Sequence, residues 1–401
     1  MCWRSIAKRG CAQTNCWSLP ELIESPPFWL YIAGFLLLLG PLVTVHEFGH
    51  YLMGRLFGVG VEAFSVGFGK ELAGFTDKRG TRWKLSALPL GGYCQFKGDM
   101  NPASIPDADA IASMSPSERH GSFHHAALWK RALIVFAGPL TNVIVALGIF
   151  TAFNLAYGKP VPPDPAHANI VGSLLPGSAA EKAGIAPDDK VVAIGDTPVA
   201  DVMEVANQVL LYPGRSSSVT VLRDGREITV PITFGSAVEH DQFGNASTVG
   251  RIGVRWKYVE RPSFEPVGAG EAVEMSFRQS AAVVDMMVTG IAQIVTGQRS
   301  VSELGGPLKI AKFSGEQLSL GAQSFIWFAA LISLNLAFIN LLPIPALDGG
   351  HLAFYAAEAV RRKPIGARGQ EMAFRAGVAM ILALMLFVTV NDLLSLPLFR
   401  R

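Results

Sequence analysis

The chain has 401 residues, of which 16% are charged and 50% are apolar, and its formal net charge is only +2. Ordinary globular chains carry about 25% charged residues, so this composition points to several membrane spans and away from a plain soluble protein. The weak net charge, with no basic stripe interleaved with aromatics, excludes nucleic acid as a partner.

Residues 1–27 read as a polar N-terminal tail that holds Cys2, Cys11 and Cys16. With Cys94 they form no CxxC pair and no zinc-ribbon spacing, so the cysteines are incidental and identify no redox compartment. Residues 28–56 read as the first transmembrane helix: FWLYIAGFLLLLGPLVTV runs without a break into HEFGHYLM. The polar lead is long and no small-x-small cleavage site follows, so the stretch is a retained span rather than a signal peptide.

Residues 57–129 should hold a membrane-associated β-hairpin and a cytoplasmic loop. FSVGFG and WKLSALPLGGYCQF are two apolar, glycine-containing strands around the polar turn DKRG. Such backbone is tolerated at membrane depth where protein shields it or water reaches it. A second span follows at 130–158, interrupted by Gly138, Pro139 and Asn142.

Residues 166–235 have the texture of a compact α+β domain. IVGSLL, KVVAI and VTVLRDGREITVPI read as strands, the last folded at Asp224-Gly225 into a hairpin. SAAEKAGI and DVMEVANQVL read as helices. Residues 250–320 should supply a strand, an amphipathic helix and the approach to the membrane. The third span, 321–352, carries Asn335, Asn340, Pro343 and Pro345, and the fourth covers 369–398. The expected fold is thus an α-helical integral membrane protein of about four spans, with one hairpin and one α+β domain. Arginines and lysines crowd the loops between spans one and two and between spans three and four, which places those loops in the cytoplasm and the α+β domain outside.

His46-Glu47-Phe48-Gly49-His50 is an HExxH motif. On a helix, residues i and i+4 share a face, so both imidazoles can reach one zinc ion, with Glu47 beside them as a base for the attacking water. Met53 and Leu56 stand where the extended metzincin motif has a glycine and a histidine, so the third ligand comes from elsewhere. Asp348, in PIPALDGGH at the end of the third span, is the best candidate, and His351 and Glu358 are weaker ones. The alternative for Asp348 is a turn in which it caps the following helix. Pro343 and Pro345 interrupt the helix and expose carbonyls.

Together, HEFGH, FSVGFGK, PLGGYCQFKGD, KRALIVFAGPLTN, ELGGPLKIAK and ISLNLAFINLLPIPALDGGHL resemble the site-2 protease family, in its bacterial regulator-of-sigma-E branch. The resemblance runs from Phe28 to the fourth span. It implies a zinc-dependent intramembrane endopeptidase of the bacterial inner membrane, with Zn2+ held by His46, His50 and Asp348 and with Glu47 as the general base. It implies that Asn335 and Asn340, with Pro343 and Pro345, hold an unwound substrate, and that the hairpin pairs with it as an added strand. The substrate would be a single-span membrane protein such as an anti-sigma factor in envelope stress signalling. Residues 168–234 are similar to a PDZ domain, departing from its usual pattern at Pro187-Asp188-Asp189. A catalytically inactive membrane adaptor that binds exposed peptides through this domain is the alternative, but it would need none of His46, Glu47, His50 and Asp348. The sequence leaves the oligomeric state open.

Overall fold

The computed structural model describes residues 26–98, 114–115, 119–161, 164–241, 245–258, 263–299, 301, 304–363 and 367–395. Residues 1–25 of the expected polar tail 1–27, with three of the four cysteines, lie outside them. The chain divides into two compact units, residues 162–261 and the remainder of the described chain.

The larger unit begins with helix α1, Phe28–Leu56. At 29 residues and 1.5 Å per residue it is about 44 Å long, enough to cross a hydrocarbon layer of about 30 Å. Two long strands follow, β1 (Val61–Thr76) and β2 (Arg82–Phe96). They are not the simple hairpin expected. Phe64 pairs with both Cys94 and Trp83, and Ser65 with both Tyr93 and Lys84. Each strand bends back, giving four stretches in the order 92–96, 61–66, 82–86, 71–76, with the two outer pairs in antiparallel register and the central pair, 61–66 with 82–86, in parallel register. Gly67 and Gly69 in β1 and Gly91 in β2 have φ of 90°, 89° and 125°, backbone that residues with a Cβ rarely adopt. The sequence shows those glycines, but nothing local states that a strand will return along itself. Arg55, in the last turn of α1, holds the connecting turn through Thr81 Oγ1 at 2.8 Å. Helix α2, Leu128–Tyr157, is the second apolar span.

Residues 162–261 form an α+β unit on their own core. Its elements in order are β3 (Val171–Leu174), α3 (Ala179–Lys182), β4 (Lys190–Ile194), β5 (Thr197–Pro198), α4 (Val202–Leu210), β6 (Ser216–Arg223) and β7 (Arg226–Thr233). They continue with β8 (Gly235–His240), β9 (Ala246–Arg251) and β10 (Val254–Trp256). Four strands form a sheet in the order β5-β4-β6-β7, and β10 pairs with β3. The expected boundary at 235 is therefore too early. The strand read as a separate segment after 250 closes this unit, with Ile252 in the core among Val171, Val191, Val219 and Phe234. At Pro187-Asp188-Asp189, Asp188 takes φ 67°, the conformation a glycine would supply.

Returning to the larger unit, two helices occupy the segment where one was expected: α5, Ala269–Val295, and α6, Pro307–Ser319. Helix α7, Ala322–Leu341, is the third apolar span. It stops eleven residues short of the expected end because Pro343 and Pro345 cannot continue it, and a new helix, α8, starts at Asp348 and runs to Arg361. The last helix is α9, Ala367–Ser395, apolar enough to span over Met372–Leu393. Asp392 of α9, 1% exposed, accepts backbone N–H bonds from Gly306 at 3.0 Å and Lys309 at 3.1 Å, closing the start of α6. Lower on α6, Gly315 packs so closely on Tyr31 of α1 that a Cβ there would overlap it.

Asp189 provides a pH-dependent lock in the α+β unit. Burial works against its charge, but two bonds from Arg223, both 2.7 Å, and one from the Ala186 N–H hold its carboxyl below the ordinary aspartate range. A depressed folded value means that the stabilisation is present above the unfolded pKa of about 3.9 and is lost as pH falls through the folded one. Asp189→Ala should cost about 1.5–3 kcal/mol at neutral pH, read as faster hydrogen exchange in β4 and β6. The difference from wild type should narrow on acidification through the carboxylate range.

Candidate metal centre

His46 and His50 lie on adjacent turns of α1, about 27 Å along the helix from Phe28, and are 6% and 8% exposed. Their Nε2 atoms are 3.2 Å apart, and Asp348 Oδ2 lies 3.1 Å from that of His46 and 3.5 Å from that of His50. Among the described residues, these three side chains are the group able to hold a metal, with ligand atoms within 4.8 Å of one another.

The partners of the two rings set their tautomers. His50 Nδ1 lies 2.9 Å from the Ile134 carbonyl, which can only accept, so Nδ1 carries the proton and Nε2 its lone pair. His46 Nδ1 faces the Asn142 side-chain amide at 3.3 Å, and Asn142 Oδ1 is otherwise buried without a partner. Turning that amide end for end lets Oδ1 accept from His46 Nδ1, leaving the Nε2 lone pair free. Asp348 Oδ2 is likewise buried without a hydrogen bond. Three lone-pair atoms so close repel one another unless a cation lies among them. Two imidazoles and one carboxylate are the donor set of a catalytic zinc site, which keeps its fourth position open. The residues fit zinc.

Local packing explains why they converge. A Cβ on Gly138 would overlap His50 Nε2, and one on Gly49 would overlap Thr141 Oγ1 and the Ala137 carbonyl, so α1 and α2 meet across two glycines. The Asp348 end is placed by a second pair, since a Cβ on Gly349 or Gly350 would overlap the carbonyls of Leu341, Leu342 or Ile344.

Glu47 opens onto the same cavity, of about 300 Å³, and its Oε2 accepts the Cys94 N–H at 3.0 Å. Alternate residues of β2, Gly92, Cys94 and Phe96, line that cavity, as the period of two along a strand requires. Of the residues expected to hold substrate, Asn340 lines the cavity, while Asn335, Pro343 and Pro345 are not among its lining residues. His351 lines it too, whereas Glu358 instead pairs with Arg131 at 3.1 Å. Sequence reasoning missed the roles of Ile134, Gly138, Asn142 and the Cys94 amide. Gly138 and Asn142 were noted as interruptions of a span, and polar groups at membrane depth are a signal of function.

An HExxH helix completed by a distant aspartate, among helices apolar enough to cross a membrane, defines a membrane zinc metalloprotease. Residues 34–384 match Peptidase family M50, and the chain belongs to that family, the site-2 proteases. Similar proteins include one from Agrobacterium fabrum named "Putative zinc metalloprotease Atu1380", 44% identical over 91% of this chain and 96% of its own. A Rickettsia conorii protein named "Putative zinc metalloprotease RC0203" is 36% identical over 92% and 99%, and the Caulobacter vibrioides "Metalloprotease MmpA" is 32% identical over 93% and 98%.

The packing gives a direct test. Asn142→Ala removes the acceptor for His46, and Gly138→Ala places a methyl against His50. Each should weaken zinc retention by about 10–100-fold, the usual cost of losing support behind a ligand, measured as zinc per chain after dialysis against a graded chelator.

Proposed function

We propose that this zinc protease cuts single-span membrane proteins within or beside their transmembrane segments, with His46, His50 and Asp348 as metal ligands and Glu47 as the general base. The observation that carries this reading is the placement of Glu47 and the three lone-pair atoms around one cavity, with Glu47 and both histidines on a helix that is apolar as far as the motif. Zinc bound there supplies Lewis acidity toward the scissile carbonyl and toward water. Glu47 takes the proton from the attacking water and returns it to the leaving nitrogen. The Cys94 N–H orients its carboxylate.

A helical substrate shields its carbonyls, so the scissile segment must unwind. Among the described residues, the stretch 92–96 has a β partner on one side only, residues 61–66, and its alternate residues face the cavity. An extended substrate added along that edge would run past Glu47. Asn340 would hold its backbone from the opposite side, and Asn335, Pro343 and Pro345 would shape the break in α7 beside it.

In a bacterial inner membrane, the loop charges favour residues 162–261 on the outer side. An anti-sigma factor already shortened by another protease fits a substrate confined to the membrane. A PDZ-like domain on that outer side would control access rather than position the scissile bond.

Glu47→Gln should retain zinc, because Glu47 is not a ligand, and lose about 10²–10⁴ in the rate of peptide hydrolysis. Zinc content and cleavage of a reconstituted single-span substrate measure the two effects, and near-normal cleavage would assign the proton transfer elsewhere. Replacing residues 162–261 with a flexible linker should leave zinc and cleavage of shortened substrates intact and allow full-length ones to be cut. Gel analysis of matched long and short substrates reads this out, and loss of all cleavage by a folded, zinc-loaded variant would make the unit part of the active structure.

A further inference from the structure

Of the polar side chains lining the cavity, the ligands and Glu47 leave two over, Asn340 and His351. Asn340 closes α7 and is assigned above to the substrate backbone. His351 lies in the first turn of α8, three residues after Asp348, and residues so spaced share a helix face. The two therefore present themselves to the cavity side by side.

His351 also has a supported position. Its ring lies 6.5 Å from that of Tyr355, which is buried, and the Arg131 guanidinium of α2 lies over Tyr355 at 5.0 Å. Arg131 is in turn ion-paired with Glu358 at 3.1 Å. The close approach of Gly349 and Gly350 to the preceding carbonyls fixes the turn that carries the imidazole. Side chains held by packing and outer hydrogen bonds keep the geometry that chemistry needs.

Beside the Lewis acidity that zinc would supply, hydrolysis calls for a hydrogen-bond donor at the carbonyl oxygen that neither the three ligands nor Glu47 provides. When the water oxygen bonds to the scissile carbonyl carbon, the π pair moves to the carbonyl oxygen, where negative charge builds. A donor aimed at that oxygen is a large contributor to catalysis. Glu47 and Asp348 act there as acceptors, while His46 and His50 have their Nδ1 atoms turned to Asn142 and Ile134 and their Nε2 atoms to the ligand cluster.

Building on the zinc-protease reading, we infer that His351 is a catalytic residue whose imidazole N–H donates a hydrogen bond to the carbonyl oxygen as it becomes an oxyanion. The carbon–nitrogen bond then breaks as the pair returns from that oxygen. The proton held by Glu47 goes to the departing nitrogen. One water is consumed, nothing is oxidised or reduced, and His351 keeps its proton throughout.

The test uses the full chain in nanodiscs, with His351→Ala and His351→Gln beside wild type and Glu47→Gln. The readouts are zinc content, kcat and KM for a single-span substrate, and affinity for a phosphinic peptide, whose tetrahedral anion mimics the addition step, against the matching ordinary peptide. His351→Ala should keep about one zinc per chain and an unchanged KM, and lose about 10²–10³ in kcat and a comparable factor in phosphinic affinity. His351→Gln, which restores a neutral donor, should recover part of both. A kcat within about threefold of wild type would overturn the proposal, as would zinc loss, which would make His351 a ligand. Equal weakening of both peptides would also overturn it, reducing His351 to a substrate contact. If Glu47→Gln stays active, the underlying reading fails. If Glu47→Gln abolishes hydrolysis while His351→Ala spares it, only the role of His351 fails.

Discussion

Two apolar helices of ordinary composition keep their axes 8–10 Å apart because side chains fill the space between them. At the metal centre that spacing is reduced by removing side chains. Gly49 of α1 faces the Ala137 carbonyl and Thr141, and Gly138 of α2 faces both imidazoles. The closeness lets the Ile134 carbonyl and the Asn142 amide reach the far nitrogens of His50 and His46. Without these contacts the rings could rotate or take the other tautomer, and two histidines on adjacent turns would be only a polar helix end. The glycines and their backbone partners are therefore as much a part of the site as its ligands.

The remaining pieces arrive by breaking regular structure at chosen points. Helix α7 stops at Leu341, and the chain turns through Pro343, Pro345 and Ala346, whose φ of 79° is costly for a residue with a Cβ. It then restarts with Asp348 in the first helical position, its carboxylate directed at the histidines. On the opposite wall the bend of β2 at Gly91 brings Cys94 to Glu47. In both places an interrupted element delivers a group that an uninterrupted one would carry past the cavity.

How much of this is legible in the sequence follows from the range of the interactions. The four spans can be read because hydropathy is local and the bilayer demands about 20 apolar residues. The HExxH pair can be read because its geometry lies within one helix, and Asp348 because a carboxylate at the end of an apolar stretch stands out. The back-folding of β1 and β2 is invisible, since glycines permit a bend without stating where the strand goes next. The strand after 250 is legible but its membership of the α+β unit is not, because pairing with β3 far earlier in the chain leaves no local trace. The same holds for Cys94, whose thiol reads as incidental while its backbone amide meets Glu47. Residues are chosen for their side chains, so a backbone contribution has no letter of its own.

The clasp formed by Asp392 bears on how the molecule is made. Synthesis runs from the N-terminus, and early segments fold or insert while later ones are still being added. His46 and His50 emerge first, yet the carboxylate that completes their triad lies about three hundred residues later. The amides of Gly306 and Lys309 wait longer still, because their acceptor belongs to the last span. The N-terminal closure of helix α6, whose Gly315 rests on Tyr31 at the opening of the first span, is thus complete only once α9 has been made. The nascent chain consequently passes through most of its manufacture without a complete proteolytic centre, and the membrane is spared an active protease until the polypeptide is nearly finished.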